Sequence, residues 1–383
     1  MTSLENLREQ VFADRKALHL IPEIGFHEYK TSKYIKEVLN QLEISFESVG
    51  ETGILAYIQG ESPNKTIAFR TDMDGLSVTE ESSFEVHSVH DNHMHACGHD
   101  GHMAMMLGLA RFLTSPEVTV KDNIVMIFQP AEEGPGGAEV FVKSGLLKKY
   151  KVDEIYGIHV FPAVKQGRIG LCSGPMMAMT GEFDIDIIAK SAHGAMPHTG
   201  IDGIVIASEI VLGLQSIVSR NINPVKPAVM TIGRMEAGER RNVIAGKCRL
   251  EGTLRAFDQS VFDLIKERMK QYLEGIELAH NVKINVEFRD MYPPVINDHQ
   301  LFSEFYEHNK QICDVIDPQM ISEDFSYYQK EVPGLFYFVG TYNEKHDFIY
   351  PLHNSKFNFD NEILIDGLES YKNILLYKAS IQL

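Results

Sequence analysis

The chain has 383 residues, a length that favours two or three domains over one. Its 44% hydrophobic and 23% charged residues are ordinary for a globular protein and exclude collagen-like or wholly disordered chains. The 36 Lys and Arg against 53 Asp and Glu give a net charge of −17, so binding to nucleic acid or to an anionic membrane is not expected. Small molecules or proteins are the expected partners.

The cysteines and the first residues of the chain predict a cytoplasmic protein. The four cysteines are too sparse for a disulfide scaffold, so reduced thiols are expected. The opening residues MTSLENLREQ are charged rather than apolar, and no run approaches the roughly 18 apolar residues of a membrane span.

The first half of the chain alternates helical and strand patterns. Two amphipathic helices are predicted, one from Leu4 to about His19 and one following Glu28. The strand-like runs lie at 53–58, 66–70, 123–129 and 154–160. Helical stretches follow Gly101 and Gly137. This order predicts an α/β domain with a mixed, largely parallel sheet flanked by helices, and with functional residues where the strands end.

From about Gly181 the pattern becomes that of an α+β domain. Strand, helix, two strands, helix and strand are predicted at about 181–190, 202–218, 228–233, 248–255, 259–275 and 282–288. This is the order of a ferredoxin-like domain, so an inserted domain at 178–289 is expected. A strand at 335–340 and a helix from about Glu362 to Tyr377 return to the first pattern. The first domain is therefore predicted to be discontinuous, from 1–177 and 290–383.

The densest chemical signal is the run HACGHDGH at 95–102, which belongs to a 16-residue stretch with six of the 16 histidines. Cys thiolates and neutral imidazoles are preferred ligands of zinc and related ions. The spacing of Cys97 and His99 predicts both side chains on one side of an extended segment, where they could bind a metal together. His102 could be merely structural. The alternative for the whole run is a polar loop with chance histidines.

Acidic residues follow two of the predicted strands. Glu132 and Glu133 come shortly after the strand that ends near Phe128, and adjacent carboxylates repel each other unless a cation or a shared proton intervenes. The alternative is a solvated acidic loop. Asp72 follows the strand at 66–70 and could orient a metal-bound imidazole by accepting its second N–H. Asp74, which precedes a glycine, is more typical of a turn.

His159 and His353 become candidate metal ligands only when they are considered together with the other residues at the strand ends. The strand ends together supply five candidate ligands, which are Cys97, His99, Glu133, His159 and His353. Five ligands exceed what one structural tetrahedral site needs and indicate two ions that share a bridge. Glu132 could then take a proton from the attacking water and deliver it to a departing amine.

Eight segments carry a family resemblance along essentially the whole chain. They are LHLIPEIGFHEYKT, RTDMDGL, MHACGHDGHM, PAEEGPGGA, GIHV, SAHGAMPHTGID, NVIAGKCRLEGTLR and PLHNSKF. In this order they resemble the bimetallic aminoacylase and amidohydrolase branch of the metallopeptidases related to carboxypeptidase G and succinyl-diaminopimelate desuccinylase. The resemblance implies a catalytic domain with two divalent ions, and a smaller ferredoxin-like lid that contributes to substrate binding and often to a homodimer.

The resemblance also implies roles for residues of the catalytic domain. Cys97 would bridge the ions, and the other ligands would be His99, Glu133, His159 and His353. Glu132 matches the general base and Asp72 the acid that orients the site. Arg70 stands where dizinc relatives have a metal-binding histidine, so equal occupancy of both positions is open, and manganese, nickel or cobalt is as plausible as zinc.

In the lid, three residues match substrate-binding positions of the family. His193 matches the oxyanion donor. Asn242 and Arg255 match positions associated with the substrate carboxylate, for which an Arg fork is well suited. The alternative for Arg255 is an ordinary surface ion pair.

Within the branch, the chain most resembles deacetylases that convert N-acetyl-LL-2,6-diaminopimelate to LL-2,6-diaminopimelate and acetate in lysine biosynthesis. Metal-dependent hydrolysis of an N-acyl amino acid is thus the expected activity. The alternatives are a general N-acyl-L-amino acid amidohydrolase or hippurate hydrolase, and a carboxypeptidase or dipeptidase on the same site. An alternative from another class is a metal-dependent binding or regulatory protein that has lost catalysis.

Overall fold

The computed structural model describes residues 4–383. Within that range the chain forms two compact units. The larger unit comprises the described residues up to Met176 together with Ile296–Asp317 and Asp324–Leu383, and the smaller unit comprises Met177–Val295 and Pro318–Glu323.

Helices and strands are numbered here in chain order. The α-helices are α1 (Arg8–His19), α2 (Tyr29–Gln41), α3 (His99–Leu113), α4 (Gly137–Lys143), α5 (Leu146–Lys149), α6 (Gly203–Asn221), α7 (Gln259–His280), α8 (His299–Asn309) and α9 (Glu362–Tyr377). The strands are β1 (Ser45–Val49), β2 (Gly53–Ile58), β3 (Thr66–Asp72), β4 (Thr119–Val120), β5 (Asn123–Gln129), β6 (Glu154–Lys165), β7 (Ile169–Leu171), β8 (Gly174–Met177), β9 (Met179–Ile188), β10 (Ala228–Ala237), β11 (Lys247–Ala256), β12 (Lys283–Asp290), β13 (Val295–Asn297), β14 (Cys313–Val315), β15 (Gly334–Tyr342) and β16 (Ile381–Gln382).

The larger unit is built on an eight-stranded mixed sheet of order β1-β2-β5-β3-β6-β15-β7-β14. Its four central strands β5, β3, β6 and β15 are parallel. Strand β3 is buried along its whole length, as expected for a strand covered on both faces. Asp72 of β3 pairs with Gln129 of β5, so the loops that follow these strands leave the sheet at the same edge. The predicted α/β fold with a largely parallel sheet is confirmed.

Helix α3 fixes one side of this edge. It is apolar around its circumference, and only Arg111 among its residues is not buried. Gly108 lets α3 pack closely, because a Cβ at that position would lie 2.9 Å from Val11 of α1 and 3.1 Å from Leu368 of α9. The first residue of α3, His99, is therefore held in the core of the unit.

The smaller unit is a four-stranded antiparallel sheet of order β10-β11-β9-β12 with helices α6 and α7. Its chain order of strand, helix, two strands, helix and strand confirms the ferredoxin-like architecture. Its core is a separate apolar cluster that includes Ile210 of α6, Phe183 of β9 and Phe262 of α7.

Met177 and residues 290–295 and 318–323 belong to the smaller unit, although they were predicted in the catalytic domain. Backbone hydrogen bonds explain the placement of the two longer segments. The Met291 N–H donates to the Thr180 carbonyl at 3.0 Å, which prolongs the pairing of β12 with β9. The Ala178 N–H donates to the Ile321 carbonyl at 2.9 Å. The identification of the two units as catalytic and lid domains stays a prediction.

Helix α6 is an exception to the expectation that no segment resembles a membrane span. Its 19 residues reach a mean hydropathy of 1.4 over an 18-residue window. Buried residues such as Ile206 and Leu214 pack into the core of the smaller unit. Val205 and Leu212, in contrast, are exposed. Length and composition alone are weak evidence for a span, because the core helix of a soluble protein meets the same criterion.

Candidate metal centre

The candidate residues of the larger unit lie around the edge where the parallel strands end. Asp72 is the last residue of β3, and Glu132 follows the end of β5 by three positions. His159 lies within β6, opposite Phe338 of β15. His353 lies in the loop between β15 and α9.

The segment that leads into α3 is a tight turn. Gly98 has a φ of +83°, in the left-handed region, and α3 begins at His99. A Cβ on Gly98 would lie 2.4 Å from the Val160 side chain, so both the backbone and the packing require glycine. The prediction that Cys97 and His99 lie on one side of an extended segment is therefore wrong, although both side chains are buried in the same centre.

The five predicted ligands form one contiguous cluster. Cys97 Sγ, a Glu133 carboxylate oxygen and a His353 ring nitrogen lie within 4.8 Å of one another. Cys97 Sγ is also 3.4 Å from His159 Nε2. A Glu133 oxygen and a His99 nitrogen lie within 4.8 Å of each other. The fold thus gathers ligand atoms from four separated segments of the chain.

His99 and His159 each keep one ring nitrogen free of backbone contacts. The Nδ1–H of His99 donates to the Asp74 carbonyl at 2.9 Å, and its buried Nε2 has no hydrogen-bond partner within residues 4–383. The Nδ1–H of His159 donates to the Val160 carbonyl at 2.6 Å, and its Nε2 faces Cys97. A ring whose Nδ1 carries the proton presents an Nε2 lone pair, which is the arrangement of a metal-binding imidazole.

Asp72 orients His102 rather than one of the predicted ligands. The Nδ1–H of His102 donates to Asp72 Oδ1 at 2.7 Å, and His102 Nε2 accepts the Val160 N–H at 2.9 Å. Both nitrogens of His102 are therefore engaged, although His102 lies in a cluster with Asp72, His99 and His159 that could hold an ion. This arrangement agrees with a structural role for His102.

Arg70 supplies a fixed positive charge beside Asp72. It is fully buried, and its Nη1 donates to Asp72 Oδ2 at 2.9 Å. Its Nε donates to Gln129 Oε1 and its Nη2 to Asp324 Oδ1, each at 2.8 Å. Asp324 was not identified from the sequence, because no local pattern near it indicates a partner 254 residues away.

Asp74 holds the backbone of the two adjacent glutamates. Its Oδ1 accepts the Glu132 N–H at 3.1 Å and its Oδ2 accepts the Glu133 N–H at 3.0 Å. A carboxylate oxygen of Glu132 lies within 4.8 Å of ligand atoms of His99 and Glu133. From the sequence, Asp74 was predicted only as a turn residue. Its position two residues after Asp72, just past a buried strand, was the sequence feature that could have indicated a role at the site.

The charges in this centre favour a bound cation. Burial and the nearby carboxylates of Glu133 and Glu132 raise the pKa of the Cys97 thiol well above its ordinary value. Burial lowers the pKa of His99, but the carboxylates of Asp72 and Asp74 outweigh burial and raise this pKa to about 10. A divalent cation would favour the thiolate and the neutral imidazole instead. Thiolate, imidazole and carboxylate are ligands that fit a divalent transition-series ion.

The smaller unit brings His193 and Asn242 into neighbouring turns. His193 forms an isolated bridge with Val243, and the Gly194 N–H donates to the Asn242 carbonyl at 2.8 Å. His193 Nδ1 accepts the Ala195 N–H at 3.1 Å, so the ring proton lies on Nε2, which can donate to a ligand.

Arg255 lies in β11 and is half-buried. Its Nη1 donates to the Thr180 hydroxyl, and to the Thr253 hydroxyl at 2.8 Å. These hydrogen bonds go to hydroxyl groups rather than to a carboxylate, so the contacts of Arg255 do not correspond to the surface ion pair that was the alternative.

Comparison with known proteins relates this chain to a family of peptidases. The model of peptidase family M20/M25/M40 matches residues 68–377. A Priestia megaterium protein named N-acetyldiaminopimelate deacetylase is 39% identical over 89% of this chain and 91% of its own length. A Brevibacillus brevis protein of the same name is 40% identical over the same shares. The crystal structure of the Bacillus subtilis YXEP protein, a dinuclear metal-binding peptidase from the M20 family, superposes with a TM-score of 0.83 at 30% identity, covering 98% of this chain and 99% of that one.

Proposed function

The chain belongs to peptidase family M20/M25/M40, and on that basis we propose that it hydrolyses N-acetyl-LL-2,6-diaminopimelate to LL-2,6-diaminopimelate and acetate. Relatives that carry the name N-acetyldiaminopimelate deacetylase match 89% to 96% of this chain. The proposal includes a place in lysine biosynthesis and a cytoplasmic location.

Two divalent ions are part of this proposal. Cys97, His99, Glu133, His159 and His353 would hold them. The free Nε2 of His99 and the grouping of Cys97, Glu133 and His353 support this ligand set. Zinc, manganese, nickel or cobalt suits these donors. When bound, the ions would lower the pKa of water and polarise the amide carbonyl.

Glu132 is the proposed general base. Its carboxylate takes a proton from the attacking water, whose oxygen bonds to the acyl carbon. The carbon–nitrogen bond then breaks, and Glu132 returns the proton to the amine as acetate forms. The observation that carries the proposal is the buried Glu132 carboxylate beside the ligand cluster, on a backbone that Asp74 holds. Asp72 orients the site through His102.

The smaller unit would contribute substrate contacts. His193 would donate from Nε2 to the oxygen that becomes negative during attack. Arg255 and Asn242 would bind substrate carboxylates. The local charge supports a carboxylate-bearing substrate, because two divalent ions bring four positive charges and the Cys97 thiolate and Glu133 offset about two of them.

A substrate panel tests the proposal. Protein loaded separately with Zn, Mn, Co or Ni is offered N-acetyl-LL-diaminopimelate, N-acetyl-L-leucine, hippurate and short dipeptides, and the released acid and amine are measured. We expect kcat/KM for N-acetyl-LL-diaminopimelate to exceed the others by at least about tenfold. Faster cleavage of dipeptides would favour the peptidase alternative. Hydrolysis of none of these compounds would favour a binding protein without catalysis.

A homodimer through the smaller unit is a further part of the proposal. Helix α6 exposes Val205 and Leu212, and β10 is an edge strand of its sheet. Exposed apolar side chains of this kind are typical of interaction sites. Light scattering at micromolar concentration should give twice the 43.2 kDa mass of one chain, and a monomer would contradict this part.

A further inference from the structure

A second buried carboxylate contacts the loop that carries Glu132. Glu28 lies just before α2 and is fully buried. Its Oε1 accepts the Ala131 N–H at 2.9 Å and the Phe26 N–H at 3.0 Å, and its Oε2 accepts the Thr52 hydroxyl at 2.7 Å. Glu28 is outside the ligand set, and none of the roles discussed above uses it.

The residue that Glu28 holds has an unfavourable backbone conformation. Ala131 has a φ of +55°, in the left-handed region, which costs a residue with a Cβ roughly 1–2 kcal/mol. Its carbonyl accepts the N–H groups of Gly136 and Gly137, each at 3.1 Å. Ala131 is thus held at its N–H by Glu28 and at its carbonyl by the turn that follows. Such strain persists only where the surroundings maintain it.

Close packing adds to this contact. A Cβ on Gly25 would lie 2.8 Å from the Ala131 Cβ and 2.6 Å from the Gly134 carbonyl oxygen. The segment from Gly25 to Glu28 therefore lies directly against the glutamate loop. Consecutive N–H groups of this loop are bound by two buried carboxylates, Ala131 by Glu28 and the next two residues by Asp74.

We propose that Glu28 is a positioning residue for Glu132. By accepting the Ala131 N–H it holds the left-handed backbone that sets the direction of the next side chain. The inference rests on the proposed function, because it takes Glu132 as the base. A displacement of about 1 Å in a catalytic group can cost about a hundredfold in rate, so a hydrogen bond one residue away is expected to matter.

A carboxylate is a costly choice if its only task is to fill the core. Burial, together with the Asp74 charge, raises the pKa of Glu28 to about 7, although the Thr52 hydroxyl opposes this shift. An apolar side chain would avoid that cost, but it could not accept the Ala131 N–H. The hydrogen bond to the loop explains the presence of an acceptor at this position.

Matched variants separate positioning from a purely structural role. Glu28→Ala removes the acceptor. Glu28→Gln keeps an amide oxygen for the two N–H groups and places an N–H₂ against the Thr52 hydroxyl. Thr52→Val is the control, because it removes the other hydrogen bond of the same carboxyl and leaves the Ala131 contact. For each metal-loaded variant we would measure kcat, KM, bound metal and amide hydrogen exchange across residues 131–133.

The proposal expects Glu28→Ala to lower kcat about a hundredfold, with KM and bound metal unchanged. Glu28→Gln and Thr52→Val should stay within about threefold of the unsubstituted protein. If Glu28→Ala does not fold, Glu28→Asp replaces it. The shorter side chain keeps the carboxylate but is too short to accept the Ala131 N–H. An unchanged kcat, or an equal loss in Thr52→Val, would overturn the inference.

Hydrogen exchange distinguishes failure of this inference from failure of the proposed function. If the unsubstituted protein cleaves no acyl amino acid, the proposed function fails, and exchange then decides the role of Glu28. Faster exchange at 131–133 in Glu28→Ala but not in Thr52→Val would support the contact. An unchanged rate of amide exchange at 131–133 in Glu28→Ala would overturn the proposed role of Glu28.

Discussion

The surroundings of Cys97 disfavour ionisation of its thiol, and a bound cation would offset this effect. Its pKa is raised by burial and by the carboxylates of Glu133 and Glu132, and the Nε2 of His159 lies 3.4 Å from its sulfur. A metal must displace the thiol proton, and also the proton that the carboxylates favour on His99. Metal binding should therefore release protons.

We predict that metal affinity rises with pH. Because protons compete with the ion for Cys97 and His99, the association constant for Zn²⁺ should increase by at least about tenfold per unit between roughly pH 6 and 8. Competition titration with a chromophoric chelator measures it. Cys97→Ser should bind more weakly and with a shallower pH dependence. Cys248→Ser, at a buried thiol of the smaller unit, should match the unsubstituted protein. A pH-independent affinity would contradict a thiolate ligand.

Glu28 gives a second prediction, for stability. Its pKa in the folded protein is raised from 4.5 to about 7, so the folded state holds this proton more tightly than the unfolded chain does. The stability that the protonated group provides is complete below about pH 4.5 and is lost as the pH rises through about 7. Relative to Glu28→Gln, the unfolding free energy of the unsubstituted protein should fall by up to about 3 kcal/mol across this range. Urea denaturation of both proteins at each pH measures the difference.

If the difference in unfolding free energy between the two proteins does not change with pH, Glu28 does not titrate in this range. The Gln variant serves as the reference because it lacks the titrating group and keeps the hydrogen bonds, so all other ionisations cancel.

The proposed ligands could be selected from the sequence, whereas most of the residues that contact and position them could not. Cys97, His99 and Glu133 stand in dense, chemically distinctive runs. Asp74 acts by accepting backbone N–H groups of a loop 58 residues away, and any residue type supplies such an N–H. No spacing in the chain encodes that partnership. The requirement for glycine at position 98 was missed for a similar reason, because the contact with Val160 that adds to its left-handed φ arises only in the folded chain.

At the scale of elements, two helix glycines differ in their surroundings. Gly275 in α7 has open space where a Cβ would lie. Gly108 in α3 has Val11 at 2.9 Å and Leu368 at 3.1 Å from such an atom. Both substitutions to alanine gain about 1 kcal/mol of helix propensity, but only one creates a steric conflict.

Gly275→Ala should therefore stabilise the protein by roughly 0.5–1 kcal/mol, while Gly108→Ala should be destabilising, since overpacking costs about 1–3 kcal/mol. Thermal unfolding of the two variants, each compared with the unsubstituted protein, provides the measurement. An equal gain in stability for both variants would mean that α1 and α9 can shift to accommodate the added methyl group at little cost.

Long, buried elements were predictable because burial requires apolar residues. Helix α9 begins and ends at the predicted residues, and β2 and β5 match their predicted runs. Strand β1 was missed because it is a partly exposed edge strand, and β7 and β14 have only three residues each. Helix α8 was not predicted, although the sequence contains a helix-capping residue at its start. Asp298 caps the helix by accepting N–H groups of its first turn.

At the scale of the whole molecule, the proposed centre depends on the folded chain. Its ligands come from positions between Cys97 and His353, and the parallel strands bring them to one edge. The net charge of −17 describes the chain as a whole and not this centre, where bound ions would reverse the local sign. The proposed chemistry of the centre therefore rests on its local ligand types and not on the total charge of the chain.

The central claim is that Glu132 is the base beside two divalent ions, and Glu132→Gln tests it most directly. The amide keeps the shape of the side chain and its backbone hydrogen bond to Asp74, but it cannot accept the proton of the attacking water. We predict two bound metal ions per chain, as in the unsubstituted protein, and a kcat for N-acetyl-LL-diaminopimelate lower by at least about a thousandfold. A variant that binds both ions and keeps its turnover would contradict the account.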